Sequence, residues 1–189
     1  MRRIKYPLAL LCVCSLSLQA AAATCGYAAL PIDPLSAART DVYVGQGKQI
    51  EVSFANEATG QPVETFPESN LKIRRTANNV VCEINGGIWV RNSVYLSMNE
   101  RTLIAKQFSG SNESLSFYDT QTCALKAEVD VSNRAWHIEP TGLRVGKRCA
   151  SGQLQSCKAT ALHRWRADCV ANVSQRAKGV KPITHQSRK

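Results

Sequence analysis

The residues with the widest chemical reach in this chain are eight cysteines and three histidines. Cys12 and Cys14 fall within an apolar leader, whereas Cys25, Cys82, Cys123, Cys149, Cys157 and Cys169 lie beyond it. Six cysteines in an exported chain read as three disulfides, and sequence leaves all fifteen pairings open. The chain has no Cys-x-x-Cys, the spacing that redox-active pairs and many zinc sites use. His137, His163 and His185 are scattered, so neither a metal nor a cofactor is read from the sequence. His137 and His163, each with a lysine or arginine nearby, could act as the acid and base of a small secreted hydrolase, most naturally a nuclease. The sequence surroundings of the known ribonuclease families are missing, and so is a Gly-x-Ser-x-Gly turn for a serine nucleophile. Asp119, Glu128, Asp130 and Glu139 fit surface positions of strands without further assumption. No catalytic constellation follows, and the chain is read as a non-enzyme.

Where these residues operate is set by the amino terminus. Arg2, Arg3 and Lys5 precede an apolar run from Leu8 to Leu18 and a small-residue patch from Ala20 to Ala23. That is the three-part grammar of a secretory signal peptide spanning 1–23, with cleavage after Ala22 or Ala23. The expected location is periplasmic or extracellular, which suits disulfides. The part beyond the signal, 24–173, is long enough to bury one core and is read as a single β-rich domain.

The elements that must position the cysteines are strands. Ile50-Glu51-Val52-Ser53-Phe54 alternates with period two after a Gly45-Gln46-Gly47 turn. From Val80 to Val131, short apolar runs such as Leu103-Ile104-Ala105 and Leu115-Ser116-Phe117-Tyr118 are separated by turn signals at Asn85-Gly86-Gly87, Asn99-Glu100-Arg101 and Gly110-Ser111-Asn112. The segment Val94 to Val131, with "TLIA", "SGSNESLSFYDTQT" and a closing strand, resembles one blade of a β-propeller. A closed propeller needs at least four such units, the sequence holds no second copy, and no propeller function is inferred. Ala135 to Ile138 and Leu143 to Val145 add two more strands. After Ser156, a candidate N-cap, Ala161 or Leu162, Trp165, Cys169 and Val173 recur at helical spacing, which predicts a helix over 156–173. The tail, 174–189, is basic and poor in apolar residues, and is read as disordered. The fold class is therefore mainly β: an antiparallel meander or sandwich, disulfide-braced, with one C-terminal α-helix packed on the sheet.

Charge is segregated along the chain. Residues 144–189 hold eleven lysines and arginines against one acid, Asp168, whereas 24–143 hold ten bases against thirteen acids. A concentrated basic region attracts acidic partners over a distance. Arg144, Lys147, Arg148, Lys158, Arg164 and Arg166 are the candidate contacts for an anionic envelope component or an acidic protein. Nucleic acid is disfavoured, because single-strand readers interleave aromatics with cations and here the two are separated. Three function classes remain: an exported binding protein using this basic region, a small nuclease using His137 and His163, and an inhibitor or immunity protein that caps another protein's active site. Mass spectrometry of the natural product is expected to find an amino terminus at Ala23 or Thr24 and no alkylatable thiol before reduction. An intact leader or six free thiols would refute the export reading.

Overall fold

The computed structural model describes residues 25–57 and 63–173. The signal peptide and the basic tail read from the sequence lie outside these residues. The described chain forms fourteen strands in three antiparallel sheets. One outer sheet has the order β2-β3-β4-β6-β7, built from β2 (Asp33–Ser36), β3 (Arg39–Gln46), β4 (Ile50–Ala55), β6 (Leu71–Arg75) and β7 (Val81–Ile84). The middle sheet runs β1-β8-β9-β10-β11, from β1 (Tyr27–Ala29), β8 (Ile88–Ser97), β9 (Thr102–Ser109), β10 (Asn112–Asp119) and β11 (Leu125–Asp130). A sixth short strand, β5 (Thr65–Pro67), also pairs with β8. The third sheet is β12 (Trp136–Glu139), β13 (Gly142–Cys149) and β14 (Cys157–Arg164).

The layering follows from the apolar runs. An antiparallel sheet with one dry face shows strict alternation, but Leu103, Ile104 and Ala105 are all fully buried, as are Leu115, Ser116 and Phe117. Leu103 and Ala105 point into a core shared with the first sheet, where Tyr43, Val52, Phe54, Leu71 and Ile73 meet Phe66 and Trp89. Ile104, Leu115 and Phe117 point the other way, into a second core with Leu143, Val145, Trp165 and Val170. The middle sheet is thus covered on both faces, and the meander expected to bury a single face is the centre of a three-layer stack. Phe54 stacks on Phe66 at 4.6 Å in the first core, and Trp165 meets Tyr27 at 5.1 Å in the second. The blade-like segment supplies the inner strands of this stack.

The helix expected over 156–173 is absent. Residues 157–164 form β14, in register with β13 from Gly142↔Arg164 to Cys149↔Cys157. Ser156 caps nothing: it ends a short 3-10 turn, Leu154–Ser156, and its hydroxyl donates to the Gln153 carbonyl at 2.7 Å. The Cys149–Cys157 disulfide closes this hairpin over Gly146, where any side chain would collide with the two sulfurs. Beyond β14 the chain folds back on itself, with Trp165 bridged to Ala171. Cys169 lies at φ 61°, a left-handed geometry no helix interior accepts. The stripe at four-residue spacing was real, since Trp165 and Cys169 are buried, but a strand and a returning strap bury them.

The remaining disulfides tie the layers together. Cys82–Cys123 joins the edge of the first sheet to the turn between β10 and β11, and Cys25–Cys169 joins the start of the described chain to the strap. The two larger sheets share a polar lock at Glu100, which is buried at φ 53° in the β8–β9 turn. Its carboxylate accepts from the backbone amides of Lys48 at 2.6 Å and Gln49 at 2.7 Å, which close the β3–β4 turn. Its main-chain oxygen accepts from the Thr120 hydroxyl at 2.6 Å. Charge-assisted bonds of this kind are the stronger sort, and removing one side strands the other. Glu100→Ala is expected to cost about 3 kcal/mol in urea unfolding with little change in slope, and Glu100→Gln less; an unchanged midpoint for the alanine variant would refute the lock.

Candidate partner-binding surface

The third sheet owes its position to its apolar face. Leu143 and Val145 drop into the second core, and Trp165 donates its indole N–H to the Glu139 carbonyl at 3.0 Å. Tyr27, packed on Trp165, donates its hydroxyl to the Cys169 carbonyl, and burial pushes this phenol well above its ordinary range. Arg144 and Arg164 alternate onto the other face, and Lys147, Arg148 and Lys158, near the turn of the hairpin, are exposed.

The six candidate cations are brought to one region but divide into two kinds. Arg144 grips Glu139 with both arms of its guanidinium, the second contact at 2.9 Å. Arg166 does the same to Asp168, at 3.1 and 2.6 Å, in the strap. Thr102 in turn donates to the Asp168 carbonyl at 3.1 Å, which fastens the strap to the middle sheet. These two arginines are structural clasps. Lys147, Arg148, Lys158 and Arg164 are exposed, and among the described residues none has an acidic partner. They form a cationic surface on the β13–β14 hairpin with its charge uncompensated.

A cleft of about 780 Å³ opens beside this hairpin, between the third sheet and the middle one. Tyr95 and Trp136 meet edge to face at 5.8 Å in its wall. Lys106, paired with Glu113 at 2.8 Å, and Arg134, paired with Asp130 at 3.1 Å, also line or flank it. Charges here are matched, so the cleft offers aromatic and hydrogen-bonding surface without a net field. Sequence reasoning missed the cleft because its residues come from separate strands. The alternation of Lys158, Thr160 and Leu162 was the available sign of a strand where a helix was read.

The histidines do not converge. His137 stands opposite Arg144 and His163 opposite Leu143. Directly opposed residues share a face and successive ones alternate, so the two imidazoles leave opposite faces of the third sheet. An acid and a base acting on one substrate cannot be arranged that way, and the nuclease reading loses its pair. Among the described residues no group of three histidines, cysteines or carboxylates is placed to hold a metal.

A family model described as "Immune protein Tsi1" matches residues 25–169. These bounds coincide with the cysteines of the long-range disulfide, Cys25–Cys169. The chain belongs to the Tsi1 family. The "Immune protein Tsi1" of Pseudomonas aeruginosa is 33% identical over 144 residues, spanning 75% of this chain and 83% of that protein. Of the three classes read from the sequence, the Tsi1 family corresponds to the third, an immunity protein. The general reading of a binding protein is consistent with it at a coarser level.

The two clasps give this Tsi1-family fold an acid sensitivity of definite sign. The Arg166 hydrogen bond, against the opposing effect of burial, holds the Asp168 carboxyl below its usual range, and Arg144 does so for Glu139. A carboxylate with a lowered folded pKa adds stability above its unfolded value of about 4, and that stability is lost as pH falls through the lower folded value. Both members of the Arg166–Asp168 pair are more than a third exposed, so solvent limits its share to under about 1 kcal/mol. Thermal midpoints are expected to stay level from about pH 7 to 5 and to fall below about pH 4, with a shallower fall in Asp168→Asn. An identical acid limb in that variant would show that the pair contributes nothing.

Proposed function

We propose that this protein is an exported immunity protein that binds a toxin protein and blocks its action, engaging it through the cationic surface of the β13–β14 hairpin. The observation that carries the surface assignment is the set of four exposed cations, Lys147, Arg148, Lys158 and Arg164, on one hairpin, none of them with an acidic partner among the described residues. Family membership supports the role, and the three disulfides support an oxidising compartment. An acidic surface on the toxin would supply the complement that this region lacks: residues 144–189 contain only Asp168 as an acid, and Arg166 holds it. Neutralisation here means occupying a surface, and it asks no bond-making chemistry of the immunity protein.

Deleting the gene from the producing cell tests this directly. Growth in dense contact with sibling cells is expected to fail, and to be restored by the full chain but not by a copy lacking residues 1–23. A deletion strain that grows like its parent in dense contact would overturn the role. Rescue by the leaderless copy would overturn the compartment.

A further inference from the structure

We propose that the outer edge of β14 is a strand-addition site, taking an extended acidic segment of the toxin as a fourth strand of the third sheet; this rests on the immunity role above. Among the described residues the third sheet ends at β14, whose outer edge is met only at Arg164, by Asn172 of the strap. The direction of its backbone groups can be read from its end. The Arg164 carbonyl turns away from β13 to accept from the Asn172 amide at 2.8 Å. Within a strand, the N–H and C=O of one residue point the same way and those of the next point oppositely. Leu162, Thr160 and Lys158 therefore aim their N–H and C=O at the same outer edge as Arg164. Among the described residues, no backbone group pairs with these three on that side.

An open edge is an invitation to other strands, and charged side chains decide which are refused. Lys158 and Arg164 stand near the two ends of β14, with Arg148 and Lys147 on the neighbouring strand. A second copy pairing antiparallel along β14 would bring the cationic ends of the two strands together. The chain's own 174–189 carries five lysines and arginines and no acid, so it too would meet like charge. An acidic segment meets the opposite sign at both ends while its backbone completes the ladder, the mode in which main-chain bonds give affinity and side chains give selectivity.

Proline is tolerated in a sheet where its missing N–H would face away from the ladder. Thr160→Pro removes an outward donor without touching the bonds to β13, and Thr160→Val keeps that donor. In the deletion strain, Thr160→Pro is expected to protect about tenfold less well than the parent chain while Thr160→Val protects fully. Lys158→Glu with Arg164→Glu, which leaves the backbone untouched, is expected to lose protection as well. Circular dichroism of the purified variants confirms folding, and should Thr160→Pro fail to fold, the charge-reversed variant decides alone. Full protection by folded Thr160→Pro or by the charge-reversed chain overturns the site. Failure of the unaltered chain to protect instead overturns the immunity role. Amide exchange of the free protein identifies the rival occupants. Equally fast exchange at Thr160 and Leu162 in the full chain and in one ending at Val173 supports an open edge. Slower exchange in the full chain would assign the edge to the tail, and a dimer dispersed by Thr160→Pro would assign it to a second copy.

Discussion

The structure depends on keeping both faces of its middle sheet dry. Ile104 sits in one core and its neighbours Leu103 and Ala105 in the other, so neither outer layer can leave without exposing fully buried side chains. The two covers are unequal. The first sheet has five strands and a large aromatic cluster, whereas the third has three strands and cannot cover its side of the stack alone. The strap from Trp165 to Val173 completes that cover with Trp165, Val170 and Ala171, and Cys25–Cys169 fixes it in place.

Disulfide placement follows the same inequality. In the chain-entropy picture, Cys25–Cys169, closing a separation of 144, withdraws about 5 kcal/mol of freedom from the unfolded chain. Cys82–Cys123, closing 41, withdraws about 4 kcal/mol, and the short Cys149–Cys157 loop about 2.5 kcal/mol. Two of the three cross-links hold the thinnest layer or its strap. The clasps Arg144–Glu139 and Arg166–Asp168 also lie there, while the thicker interface combines aromatic packing with the Glu100 lock and the Arg91–Asp33 pair.

The strand grammar was legible because it is local. Alternation in Ile50 to Phe54 and the turn at Gly110 to Asn112 each lie within a few residues. The runs at 103–105 and 115–118 announced strands, and their lack of alternation was the mark of a sheet covered twice, a mark that only the second cover makes plain. The helix reading failed where local spacing and long-range pairing compete. Lys158 to Arg164 contains alanines and a leucine that suit a helix, but β13 offers that stretch a ladder, and the cross-link to Cys149 brings it there. Disulfide partners and the grip of Glu100 on residues about fifty positions away depend on the finished stack.

Once Leu143 and Val145 are packed and Arg144 and Arg166 are clasped, the remaining cations of β13 and β14 have no acidic partner among the described residues. Exposed charges of this kind cost little stability, and their influence reaches about a Debye length into solution. The contrast with 24–143, where acids outnumber bases by three, gives the molecule a polarity: an incoming acidic surface is drawn toward β13 and β14 and away from the opposite layer. Charges at the rim of an interface chiefly raise the rate of encounter, while desolvated backbone bonds and packed side chains slow departure. On the proposed role these demands fall on adjacent parts of one sheet. An immunity protein must reach its toxin before the toxin reaches its target, which favours unpaired cations; it must then stay, which favours an unpaired strand edge beside them.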